Sequence, residues 1–84
     1  MKSNAENVTM LECLKKSSEL LNLCKEKKMP DSIIRLIIDI KRGEGIQGRE
    51  QRYQAILAVT DIIKKATSEE QVMQMLKEKY PKYS

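Results

Sequence analysis

The stretch Asp31 to Gly43, DSIIRLIIDIKRG, constrains the fold more than any other part of the chain. It packs six large aliphatic residues into the eight positions from Ile33 to Ile40. At 100° per residue, Ile33, Ile37 and Ile40 fall along one line, with Ile34 and Ile38 to one side and Leu36 to the other. The apolar arc covers roughly 200° of the helix surface. Asp31, Arg35, Asp39 and Arg42 fill the remaining stripe, so a helix accounts for every polar residue. A strand would set Arg35 and Asp39 on the same face as Ile33 and Ile37. A helix this apolar needs several neighbours, and the other segments are read as its coat.

Eighty-four residues suffice for one domain that buries about 64% of its unfolded surface, a thin margin. With no Phe and no Trp, the core must come from nine Ile, eight Leu, Met and three Tyr. One residue in three is charged, and no apolar run approaches the roughly 20 residues a bilayer requires, so no membrane span is expected. The N-terminal MKSNAENVTMLECLKK is polar where a signal peptide needs a continuous apolar run, which points to a cytoplasmic protein. Cys13 and Cys24 lie eleven residues apart, roughly 16 Å along one helix, too far to bridge. With no His in the chain they form no zinc site either, and two buried core thiols are expected.

The organisation follows from caps and breakers. A polar, disordered tail over residues 1–8 precedes one helical domain over 9–80, and a short tail follows over 81–84. Thr9 and Glu12 have the spacing of a capping box. The first helix runs to about Lys27, with Met10, Leu14, Ser17, Leu21 and Cys24 as its inward seam, flanked by Leu11, Cys13 and Leu20. Leu23 alone points the opposite way. Pro30 separates it from the second helix, which is expected to stop at Gly43 because Gly43, Gly45 and Gly48 follow in quick succession. Arg49 to Ala66 forms a third helix with an apolar arc near 220°. Thr67 or Ser68 caps a fourth, ended by Pro81. The expected fold is all-α, a small four-helix bundle with helices long, short, long and short in two antiparallel hairpins.

No catalytic residues are proposed, since a chain without His and with scattered carboxylates offers no nucleophile and base pair. Asp39 is best explained by an ion pair with Arg35 one turn before it. No metal, cofactor or small-molecule substrate is implied, and the glycine cluster fits no phosphate-binding motif. The net charge of +4 invites a nucleic-acid reading, but nine of the sixteen basic residues, Lys41 and Arg42 among them, fall in or beside the last turn of a predicted helix. Arg49, Gln51, Arg52 and Gln54 are the exception, opening the third helix where the dipole disfavours cations, and Arg42, Arg49, Gln51 and Arg52 form the alternative DNA-reading set, in a helix-turn-helix-like pair around residues 31–66. The stronger anomaly is apolar width. Two helices with arcs near or above 200° exceed what four helices can cover, which points to protein-protein contact, with a partner or a second copy, through Leu23, Ile34 and Ile38.

Two resemblances agree with a binding role. SIIRLII, then RY opening the next helix and QML ending the last, resembles the three-helix X domain of paramyxovirus phosphoproteins over residues 31–76. That resemblance implies a groove that docks a helical segment of a partner. In size, basic charge and helix order the chain is also similar to bacteriocin immunity proteins. The sequence therefore reads as a non-enzymatic helical adaptor or regulator, with DNA binding as the alternative and an immunity-like bundle as a further one.

Overall fold

The computed structural model describes residues 8–83, so only Val8 of the expected N-terminal tail falls within it. The fold is the expected all-α bundle of four helices: α1 (Met10–Glu26), α2 (Asp31–Ile46), α3 (Arg49–Lys65) and α4 (Glu69–Lys79), followed by a 3-10 turn over Pro81–Tyr83. The helix starts follow local chemistry. The Glu12 N–H donates to Thr9 Oγ1 at 3.0 Å and the Thr9 N–H to Glu12 Oε1 at 2.9 Å, which completes the capping box. At α4 the Gln71 N–H donates to Ser68 Oγ, and the Gln71 side chain accepts from the Thr67 N–H. Lys28, at φ 55°, closes α1 in a left-handed conformation that usually falls to glycine, with the Met29 N–H reaching the Cys24 carbonyl at 2.9 Å.

The second helix does not stop at Gly43. It continues through Gly43 and Gly45 to Ile46, so the connection to α3 is only Gln47 and Gly48, and the helix lengths run 17, 16, 17 and 11 residues. The long-short-long-short order is corrected accordingly. Glycine inside a helix costs roughly 0.5–1 kcal/mol, and here tertiary packing outweighs that cost. A Cβ on Gly43 would overlap the Tyr83 ring, and one on Gly45 would stand 3.1 Å from Arg52 Cδ. Gly48, at φ 142°, is the position that needs glycine for its backbone alone. The Tyr83 hydroxyl donates to Glu44 Oε2 at 2.9 Å and clasps the 3-10 turn onto α2.

The core joins Leu20 and Cys24 of α1, Ile33, Leu36, Ile37 and Ile40 of α2, Ala55, Ile56, Val59, Ile62 and Ile63 of α3, and Val72 and Leu76 of α4. Both cysteines are buried and free, as expected of core thiols. The helix that meets each of the other three is α3, while backbone contact between α1 and α2 is slight. Within the bundle, α1 and α2, joined by a short connection, both lean on α3. The inward seam of α1 is corrected too. Cys13, Leu20 and Cys24 are buried, whereas Met10 and Leu14 are 57% and 59% exposed. At 100° per residue this is a rotation of about 50° from the expected seam. The small side chains of Cys13, Ser17 and Cys24 line the inner face and let α1 approach closely.

Ile37 is 1% exposed at the centre of α2. Ile37→Ala is expected to destabilise the fold by about 2–5 kcal/mol in denaturant or thermal melts, whereas Arg35→Ala, on the exposed face, is expected to be nearly silent.

Candidate functional site in the groove between the first two helices

Because α1 and α2 run antiparallel and both rest on α3, a groove lies between them. One polar contact sets its register. Lys41 Nζ of α2 donates to Ser17 Oγ of α1 at 2.7 Å. One turn beyond Ser17 stands Leu21, and one turn before Lys41 stands Ile38, so these two flank the groove at the same level. In the other direction Leu14 stands across from Gly45. Leu14, Leu21 and Ile38 are all exposed. At the end nearest α3 the groove deepens into a cavity of about 300 Å³, lined by Met10, Cys13, Leu14, Ser17, Gly45, Arg49 and Arg52.

The floor is cationic. Lys41, read from sequence as a helix-end lysine complementing the dipole, lies more than a turn inside the longer α2 and is only 7% exposed. Burial lowers its pKa, the nearby Arg52 guanidinium lowers it further, and the Cys24 thiol acts weakly in the opposite direction. Burial raises the pKa of Cys24 in turn, with Lys41 partly offsetting it. Among the described residues no carboxylate lies within ion-pair distance of Lys41, Arg49 or Arg52. The Lys41 ammonium has three protons and gives one to Ser17. Since Ser17 Oγ accepts that bond, its own proton is left to donate into the cavity that Ser17 lines.

The interface residues expected from sequence are divided by the structure. Ile38 is exposed and Ile34, one turn before it, is half-buried against the core. Leu23 sits on the other flank of α1, half-buried in a cleft with Asn22, Thr60 and Lys64. Met10, Leu14 and Leu21 lie on the seam expected to face inward, so the sequence does not mark them as groove residues, and the structure exposes all three. Ser17 and Lys41 were missed because nothing in their local sequence brings residues 24 positions apart together. The possible DNA-reading residues Arg42, Arg49, Gln51 and Arg52 are all exposed. Arg49 donates to the Val8 carbonyl at 3.2 Å, and the Arg52 stem lies over Gly45. The outward stripe of α3 that follows them holds Gln54, Asp61 and Lys65, with an ion pair of 3.1 Å between the last two. Asp39 is exposed and does not pair with Arg35.

Among the described residues there is no group of three or more His, Cys, Asp or Glu placed to hold a metal. No family model matches the chain, and no curated protein and no solved structure matches it.

The lowered pKa of Lys41 has a measurable consequence. Between the folded and unfolded values the unfolded chain holds more protons, so this group's contribution to stability rises with pH across that interval and is constant below it. In a Cys24→Ala background, which removes the neighbouring thiol's titration, Lys41→Met is expected to be the more stable protein at low pH by on the order of 1 kcal/mol. That advantage is expected to shrink as pH climbs toward the ordinary lysine value of about 10.4. Denaturant melts over a pH series measure the difference directly, and a flat difference would show that Lys41 keeps its solvation in the folded state.

Proposed function

We propose that the protein is a non-enzymatic helical adaptor or regulator that binds another protein through the groove between α1 and α2. The observation that carries this reading is the set of exposed aliphatics along the groove, a row of Met10, Leu14 and Leu21 on one wall and Ile38 alone on the other. Scattered exposed aliphatics are ordinary on a protein surface, and a row of them along one groove supports a docking site more than isolated ones do. The flexible Met10 thioether at its end suits adaptable contact. Among the described residues no helix is long and apolar enough to cross a membrane. A cytoplasmic setting belongs to the proposal, supported by two free thiols.

DNA binding is the second reading, favoured by Arg49 and Arg52 at the start of α3, which have no ion-pair partner among the described residues. It is weaker, because α3 is covered by three neighbours and its outward stripe carries Asp61 where a reading helix faces bases and phosphates.

Leu14→Gln with Ile38→Gln tests the groove. Both residues are exposed, so the double variant is expected to melt within about 1 kcal/mol of the wild type. Parallel affinity capture from cell extract is expected to retain a protein on the wild type and lose it on the variant. Equal capture by both would remove the groove from the function. On immobilised duplex DNA, retention falling steeply between roughly 50 and 200 mM salt would put the DNA reading first.

A further inference from the structure

We propose that the occupant of the groove is an amphipathic helix of a partner protein, seated by aliphatic anchors between α1 and α2 and presenting an acidic side chain to the Ser17, Arg49 and Arg52 pocket. This rests on the docking role proposed above and adds the chemistry of the partner. Length favours a helix. Met10 to Leu21 spans eleven residues of α1, about 16 Å, which is three turns of a docked helix and longer than a small metabolite needs. Charge selects an acidic one. Arg49 and Arg52 line the deep end of the groove and Lys41 reaches it through Ser17, with no carboxylate within ion-pair distance of the three among the described residues. The three glutamates of α1, Glu12, Glu19 and Glu26, repeat every seven residues on the flank away from the groove.

Geometry gives the incoming carboxylate its partners. Ser17, already accepting from Lys41 at 2.7 Å, donates its own proton into the pocket, so the buried cation acts on the ligand through one hydroxyl. The Arg52 guanidinium, with its stem held over Gly45, supplies charge-assisted donors at the rim. Glycine at position 45 leaves room for this stem, since a Cβ there would stand 3.1 Å from Arg52 Cδ. A second copy of this chain fits less well. A two-fold interface through the same face would set Lys41, Arg49 and Arg52 against their own copies, and like charges across an interface cost affinity.

The test selects binders from a displayed library of random 16-residue peptides on the immobilised full chain, then titrates the best one, fluorescein-labelled, by anisotropy. Selected peptides are expected to carry aliphatics at helical spacing of three, four and seven with Asp or Glu among them. Lys41→Met, Arg52→Gln, and replacement of the peptide's acid by its amide are each expected to weaken binding about ten-fold or more. The acid's replacement is expected to cost little further in the Arg52→Gln protein, as for two groups in one interaction. Lys41→Met is expected to fold at least as stably as the wild type, so loss of binding there is not loss of structure. Peptides lost on the Leu14→Gln, Ile38→Gln double variant but indifferent to Lys41→Met and Arg52→Gln would overturn the acidic partner and leave the docking groove. Peptides indifferent to all of these variants, or no selected peptide at all, would overturn both. Sedimentation as a dimer that the double variant disperses would assign the groove to a second copy. Fluorophosphonate labelling abolished by Ser17→Ala would make Ser17 with Lys41 a nucleophile pair and overturn the docking pocket.

Discussion

The contact of α3 with three helices at once governs the rest of the structure. Ile56, Val59 and Ile63 are fully buried, and the broad apolar arc around them gives α1, α2 and α4 each a seat on the same helix. Three helices can pack mutually at the usual interaxial distance of about 8–10 Å, yet here α1 and α2 spend their backbone contact on α3 rather than on each other. Slight backbone contact between α1 and α2 is the result, and the space between them is the groove. The site is thus a product of how the core is shared. It needs no special loop, and its walls are two regular helices that hold their side chains at fixed register.

Glycine placement shows the same logic at the ends of α2. In isolation Gly43, Gly45 and Gly48 read as a loose loop, because glycine favours turns and weakens helices. Only two of them behave against that expectation, and both do so because another chain segment comes too close for a side chain. Tyr83 lies on Gly43, and the Arg52 stem lies on Gly45. Both neighbours are distant in sequence or belong to the next helix, so the reason for a helical glycine is not written locally. The longer α2 then carries Lys41 away from the helix end, and a lysine that would complement a dipole becomes a buried cation bonded to Ser17.

What could be read in advance was whatever depends on near neighbours. The Thr9 and Glu12 box, the Ser68 cap, the Thr60 hydroxyl on the Ile56 carbonyl at 2.7 Å and the helical identity of Ile33 to Ile40 all follow from residues within four positions. The rotation of α1 did not, because two lines of the same helix have nearly equal claims. Met10, Leu14 and Leu21 are the more apolar line, yet Cys13, Leu20 and Cys24 face inward. A seam of small residues permits close approach to α3, and the energy of that approach depends on a partner that the α1 sequence does not contain. Of the expected interface, Ile34 and Ile38 share the groove side of α2, since they stand one turn apart, while Leu23 belongs to another cleft.

A domain this small has little stability to spare, which gives meaning to the features that oppose folding. Lys28 in a left-handed conformation costs roughly 1–2 kcal/mol and the two glycines within α2 roughly 0.5–1 kcal/mol each, and each is explained by a turn or a close contact. Lys41 is different in kind. A buried ammonium with one hydroxyl partner and no counter-ion among the described residues loses much of its hydration, and an aliphatic side chain of similar size would fill the same space without that loss. The exposed leucines beside it have the converse problem, because they keep in water surface that the core could have used. Folding alone accounts for neither. One event resolves both, since a surface that brings an acid to the floor and aliphatics to the walls would neutralise the cation and dry the leucines together. The two features occupy one groove, and that coincidence is the physical reason the proposed docking role is placed there.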